Sequence, residues 1–278
     1  MWLANTKADL RARLSSEKAP VILVPTMGAL HPGHASLIDL ARIKAGANGT
    51  VLVSIFVNPI QFDRAEDLES YPRTLEPDLA ICNEHGADGV FVPKGGEMYF
   101  PDRSVTIIEN NLANHLCGTT RPGHFDGVCT VVLKLFNLTR CDAAVFGEKD
   151  FQQLAIIRRM LRDLDLETEI ISHPTIREPD GLAMSSRNRR LTLEHRADTP
   201  RILRALESAS TGNTPQQILS DARDILEESP FGKIDYLSLV DAETLAPAET
   251  LSSPTVLACA VFYGNIRLID HVDISPRA

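Results

Sequence analysis

The chain has 278 residues, 44% of them hydrophobic and 23% charged, with 28 Lys and Arg against 37 Asp and Glu for a formal net charge of −9. That composition supplies a real apolar core and excludes disordered and fibrous classes. The acidic balance argues against nucleic acid as a partner, because a broad binding face needs basic residues to neutralise phosphates.

The opening MWLANTKADLRARL lacks the apolar stretch of a secretory signal. VILVP (21–25) is the first expected strand, followed by a helix from Gly33 to Ala45, a strand VLVSIFV (51–57), a helix from Leu75 to His85 and a strand GVFVP (89–93). After a less regular stretch containing VTIIE (105–109), a buried helix is expected over Gly127–Leu138. The run Val128 to Leu138 is interrupted by Lys134 and Asn137, far short of the ~18 apolar residues of a membrane span, so no membrane partner is expected. A strand DAAVF (142–146), a helix from Phe151 to Leu164 and a strand ETEIIS (167–172) close this series.

Continuous apolar strands alternating with helix-period segments predict βαβ units and a parallel sheet covered on both faces. The pattern changes after His173-Pro174. Two polar helical stretches, Glu194–Ser210 and Pro215–Glu228, precede the strands YLSLV (236–240), TVLACAVFY (255–263) and IRLIDHV (266–272), which suggests a small α+β domain. The expectation is two domains, 1–175 and 176–278. The five cysteines, Cys82, Cys117, Cys129, Cys141 and Cys259, form no CxxC pair and read as reduced core thiols of a cytoplasmic protein.

Polar clusters stand at three strand exits and at the domain junction. The first strand runs into Pro25-Thr26-Met27-Gly28-Ala29-Leu30-His31-Pro32-Gly33-His34, with Pro32 suited to a first helical turn and Gly33 allowing close approach. A strand-to-helix turn at the carboxyl edge of an open sheet is where such folds bind ligands, and free N–H groups with the helix dipole favour phosphate there. His31 and His34, three apart, can face one triphosphate together. The competing readings are a metal pair, disfavoured by the lack of Glu or Cys in the tetrad, and two solvated histidines.

Asn58-Pro59-Ile60-Gln61 leaves the second strand as a turn or as an amide-bearing recognition loop for hydroxyls and a carboxylate. Gly147-Glu148-Lys149-Asp150 puts a cation near phosphate, with Asp150 either a partner to it or the N-cap of the next helix. Gln153 falls in that helix's first turn. Arg177 to Asn188 contains Met184-Ser185-Ser186-Arg187, an oxyanion grip or a solvated loop. Recurrence at one sheet edge favours a single active cleft.

The segments PTMGALHPGH, VSIFVNPIQF, RPGHFDGVCTVV, FGEKDFQQL and REPDGLAMSSRN, in this order and spacing, resemble the pantothenate synthetases, or pantoate–β-alanine ligases, within the HxGH nucleotidyltransferase superfamily. The resemblance implies a Rossmann-like domain with a smaller lid domain, a homodimer, and ATP with Mg²⁺. It implies pantoate activated as an acyl adenylate and captured by β-alanine.

It also assigns residues. ATP would meet Met27, Gly28, His31, Gly33, His34, Gly147, Lys149, Asp150, Ile176, Met184, Ser185, Ser186 and Arg187. Pantoate would meet Asn58, Gln61, Gln153 and Arg121, and β-alanine would meet Gln61. The catalytic set would be His31, His34 as proton donor, Lys149, Ser185, Ser186 and Arg187. A nucleotidyltransferase that keeps the nucleotide in its product and a non-catalytic nucleotide-binding regulator are the alternatives that HPGH alone permits.

Overall fold

The structure is a computed structural model that describes residues 1–17 and 20–276. The chain forms two compact units: Met1–Asn110, Arg121–Glu148 and Gln153–Pro174 make the first, while Asn111–Thr120, Lys149–Gln152 and the chain from Thr175 onward make the second. A single cut after residue 175 therefore misses two inner segments. Gln152 ties them together: its Nε2 donates to the carbonyls of Leu112 (2.9 Å) and His115 (2.6 Å), and its Oε1 accepts from the Cys117 N–H at 2.8 Å.

In the first unit, strands β1 (Trp2–Ala4), β2 (Val21–Thr26), β3 (Thr50–Ile55), β4 (Gly89–Phe91), β5 (Ala143–Gly147) and β6 (Glu169–His173) form a parallel sheet in the order β1-β4-β3-β2-β5-β6. Val24, Val51 and Val53 are fully buried, and so are Leu23, Leu52 and Ala144 at alternating positions. Alternating side chains point to opposite faces, so both faces are covered, as the continuous apolar runs require.

The Pro32–Ala45 helix starts on His31 as N-cap with Pro32 in its first turn, and ends at Gly46, whose φ is 64°. Its residues Leu37, Ile38, Ala41 and Ala45 join Ile22, Val24, Val51 and Val53 in one core cluster. Each Leu or Ile so buried contributes ~1.5–3 kcal/mol, which outweighs any polar contact along this helix.

VILVP is the second strand, because Trp2–Ala4 precedes it at the sheet edge. The Trp2 indole lies over Gly89, where an added Cβ would come within 2.3 Å of the ring. A short helix, Lys7–Leu14, follows, capped by Thr6 Oγ1 accepting from the Asp9 N–H at 3.1 Å. Neither element was among the sequence expectations.

The second unit carries an antiparallel sheet of β7 (Gly232–Asp241), β8 (Thr255–Tyr263) and β9 (Ile266–Ile274). Helices Arg201–Ala209 and Pro215–Glu227 bury Ile202, Leu206, Ile218 and Leu226 with Leu257, Val261 and Tyr263 of the sheet. The expected helix Glu194–Ser210 is two helices, Leu193–Asp198 and Arg201–Ala209, parted at Thr199-Pro200. Pro200 has no N–H to continue the ladder and crowds the preceding turn.

Candidate active site

From β2 the chain steps to β3 and β4 on one side, then returns to place β5 and β6 on the other. The switch of direction lies between β2 and β5, and open sheets of this kind bind ligands outside the carboxyl ends of the strands at such a point. The loops leaving β2, β3 and β5 are those that carry the polar clusters.

The loop after β2 has left-handed backbone at two successive residues, Gly28 (φ 81°) and Ala29 (φ 51°). Five N–H groups of this loop and the helix start are engaged within the protein. Gly28 donates to Thr26 Oγ1 at 3.2 Å, while Ala29 and Leu30 donate to Asp78 Oδ2 and Oδ1 at 2.9 and 2.8 Å. Gly33 donates to His31 Nδ1 at 3.2 Å, and His34 donates to the His31 carbonyl at 2.7 Å. The expectation of free backbone donors for phosphate is thus corrected: Pro32 has no N–H, and these five are already bonded. Since Nδ1 of His31 accepts, its ring proton sits on Nε2 in the neutral form. The His31 and His34 rings lie with centroids 4.1 Å apart, so the tetrad does form one imidazole pair.

After β3, Pro59–Gln61 makes a 3₁₀ turn and Gln61 is 7% exposed. Asn58 Nδ2 donates to Gln61 Oε1 (2.8 Å) and to the Gly127 carbonyl (3.0 Å), and Asn58 Oδ1 accepts from the Tyr99 hydroxyl at 2.8 Å. Both amide hydrogens of Asn58 are used, which leaves it to orient Gln61. With Oε1 held, Gln61 presents its NH₂ group, and Nε2 stands 3.3 Å from Met27 Sδ. The loops after β2 and β3 therefore meet.

The turn is braced from behind by the His124–Thr139 helix. The His124 Nδ1–H donates to the Gln61 carbonyl at 2.7 Å, which leaves Nε2 to accept from Arg121 Nη1 at 3.0 Å. Arg121 Nε donates to Asp63 at 3.0 Å. Burial would raise the Asp63 pKa, but the Arg121 hydrogen bond and nearby positive charge prevail and hold it below the usual value. Gly127 lets the helix approach, because a Cβ there would lie 2.6 Å from the Ile60 carbonyl oxygen and 2.7 Å from Gln61 Cα. Arg121 is thus committed to this brace. Gly147 ends β5, and Gln153 lies in the Phe151–Asp163 helix.

In the second unit, Lys149 and Asp150 close a 3₁₀ turn running straight into that helix, with Lys149 Nζ 3.3 Å from Asp150 Oδ2. Asp150 is inside the turn rather than a simple N-cap. Ile176 and Met184 pair across a hairpin, the Met184 N–H donating to the Ile176 carbonyl at 2.9 Å, with Gly181 at φ 95° in its bend. Ser185 caps the following Ser186–Arg190 turn by accepting from the Arg187 N–H at 3.3 Å. Arg177 forks onto Asp270 at 2.6 and 3.0 Å, so that guanidinium holds the hairpin.

Sequence reasoning passed over Asp78, Tyr99 and His124 as functional residues. Asp78 had a signal, since it shares the buried stripe of the Leu75–Glu84 helix with Cys82. Burial and the Asp78 charge push the Cys82 thiol up to about 12, and burial chiefly pushes Cys129 to about 12 as well. These thiols stay protonated and inert, as core cysteines should. Among the described residues no group of three or more His, Cys, Asp or Glu is arranged to hold a metal ion.

Residues 3–273 match the family model described as pantoate-beta-alanine ligase. Pantothenate synthetase of Akkermansia muciniphila is 48% identical over 281 residues, covering 99% of this chain and 100% of that protein, and the enzyme of Desulfovibrio desulfuricans is 48% identical over 98% and 99%. Among solved structures, pantothenate synthetase from Thermus thermophilus superposes with a TM-score of 0.93 at 40% identity, covering 99% of this chain and 100% of that one. Pantoate-beta-alanine ligase from Francisella tularensis, solved with beta-gamma ATP and β-alanine, gives a TM-score of 0.82 at 33% identity over 98% and 97%.

Proposed function

The chain belongs to the pantoate-beta-alanine ligase family, and from that premise we propose how its residues carry out the reaction. It is an ATP-dependent ligase that condenses pantoate with β-alanine to pantothenate. An amine cannot displace oxide from a carboxylate, so the pantoate carboxylate first attacks the α-phosphorus of ATP and pyrophosphate leaves. β-Alanine, as the free amine, then attacks the pantoyl carbonyl and AMP departs. No protein nucleophile is required, and catalysis rests on positioning and on donors around the phosphates.

His31 and His34 are the donors to the triphosphate, His34 supplying the proton as pyrophosphate leaves. Met27, Gly28, Gly33 and Gly147 line the ATP site of the first unit; Lys149, Asp150, Ile176, Met184, Ser185, Ser186 and Arg187 are the ATP residues of the second. Gln61 and Gln153 bind pantoate, and Gln61 also binds β-alanine. Asn58 and Arg121 serve pantoate by fixing Gln61, which the saturation of the Asn58 amide supports.

Mg²⁺ retains water and phosphate ligands. The donor set fits an ion that enters with ATP, with Asp150, half exposed at 49%, as the carboxylate that would help hold it and so neutralise phosphate charge. A homodimer in the cytoplasm completes the proposal; no helix among the described residues is long and apolar enough to cross a membrane.

The observation carrying this reading is the meeting of the β2 and β3 loops, which sets the Gln61 amide against Met27 of the histidine loop. Pantoate labelled with ¹⁸O in both carboxylate oxygens tests it. One labelled atom is expected in AMP and the other in the amide product. Labelled inorganic phosphate released with ADP would overturn the adenylate route.

A further inference from the structure

Asp78 is 1% exposed, and an isolated carboxylate in a protein interior is strongly destabilising unless it is paired or hydrogen-bonded. What surrounds it is a set of three hydrogen-bond donors: the successive N–H groups of Ala29 and Leu30 at 2.9 and 2.8 Å and the Thr74 hydroxyl at 3.2 Å. Successive N–H groups converging from such a turn form a concave anion site, usually filled by a ligand's phosphate. Here the occupant is the protein's own carboxylate.

We propose that Asp78 is the positioning residue of the histidine loop: an internal anion that holds Gly28 and Ala29 in their left-handed course and thereby sets the His31–His34 pair as donors to the triphosphate. The inference rests on the reading of that pair as the triphosphate site. Ala29, a residue with a Cβ, adopts φ 51°, a strained conformation for any side chain but glycine's hydrogen, and two charge-assisted bonds from its own N–H and the next offset that strain. The match is close in space as well, because a Cβ on Gly28 would lie 3.0 Å from Asp78 Oδ2 and 3.1 Å from Ile55 Cγ2.

The arrangement also has an electrostatic consequence. A bare carboxylate beneath a triphosphate loop would repel the substrate. Spent on two N–H groups and a hydroxyl, its charge is locally compensated, and the phosphate grip passes from backbone to imidazole. Disturbing Asp78 therefore impairs the ATP step and spares pantoate binding, whose Gln61 turn is braced separately by Asn58, His124 and Arg121.

The test is single-turnover pyrophosphate release in Asp78→Asn, Thr74→Val and His34→Ala, with pantoate affinity measured by calorimetry and folding by near-ultraviolet circular dichroism. Asp78→Asn keeps the shape but turns an NH₂ toward a backbone N–H, and a displacement of the histidines by a fraction of an ångström should slow adenylation about 30-fold. Thr74→Val keeps Asp78 and should slow it about threefold, and pantoate should bind both variants within about twofold of wild type. Should Asp78→Asn fail to fold, Thr74→Val decides, a wild-type rate overturning the proposal. Folded Asp78→Asn adenylating at the wild-type rate while His34→Ala is slow overturns the clamp alone. Wild-type rates in His34→Ala as well overturn the triphosphate reading beneath it.

Discussion

The two units of the molecule use buried polarity for different ends. In the first, apart from Ser and Thr, the buried polar side chains among the described residues are Asn58, Gln61, Asp78 and His124. All four shape the loops that leave β2 and β3. In the second, charge fastens the fold: Arg177 pairs with Asp270, Arg196 with Glu178 and Asp180, Arg201 with Asp198, and Arg267 with Asp235. A six-stranded sheet buried on both faces has apolar area enough to hold itself and can give its polar groups to a site. A three-stranded sheet with two main helices has less, and its loops are tied by ion pairs.

The sharpest way to break this comparison is Arg177→Met. The Asp270 side chain is 3% exposed, and removing its partner leaves a buried charge uncompensated, at a cost of about 3–5 kcal/mol. Hydrogen exchange should show β7–β9 losing protection while β2–β5 keep theirs. Equal loss in both units would mean that the pair does not belong to the second unit's stability alone.

Gln61→Ala comes next. Removing the amide that Asn58 orients leaves a pantoate oxygen unpaired, which costs ~1–3 kcal/mol, or roughly 5- to 150-fold in affinity. Gly127→Ala should act in the same direction by pushing the Gln61 turn from behind. Separate titrations of ATP and pantoate decide: equal weakening of both would show that the turn supports the whole site rather than one substrate.

The sheet was legible because its central strands are buried on both faces and so read as unbroken apolar runs such as VLVSIFV. Trp2–Ala4 was not, since three residues at a sheet edge show no period. The HPGH turn was placed correctly at the end of its strand, with the helix starting inside it. What the sequence hid was the partner of each loop. Asp78 acts on residues 48 and 49 positions away, Gln152 on a backbone 35 to 40 positions away, and Asn58 faces inward where a turn residue normally faces water. Such roles are set by tertiary approach, and only an acidic residue on the buried stripe of a helix gave a hint.

The smallest expected effect concerns acid. In the second unit Asp180, Asp198 and Asp241 have carboxyl pKa values held below the usual 3.8; in the first, Asp63 does. For Asp198 burial pushes upward, but hydrogen bonds from Ser229, Arg201 and Tyr263 outweigh it. A folded pKa below the unfolded one means that the native state releases the proton more readily, so the charge stabilises the fold fully above the unfolded value. That stability is lost as pH falls from about 3.8 through the lower folded values. With three such carboxylates against one, acidification from pH 5 to pH 3 should loosen the second unit before the first, measured as protection factors corrected for the intrinsic pH dependence of exchange. Asp198→Asn isolates one contribution. It should cost about 1 kcal/mol at pH 7, where the wild-type carboxylate is charged, and progressively less as pH falls from 3.8 through the lowered folded value, where the wild-type side chain takes up its proton. A stability difference that stays constant from pH 7 to pH 2 would mean that Asp198 acts through shape alone, and the contrast in how the two units use charge would then have to rest on the Arg177–Asp270 pair.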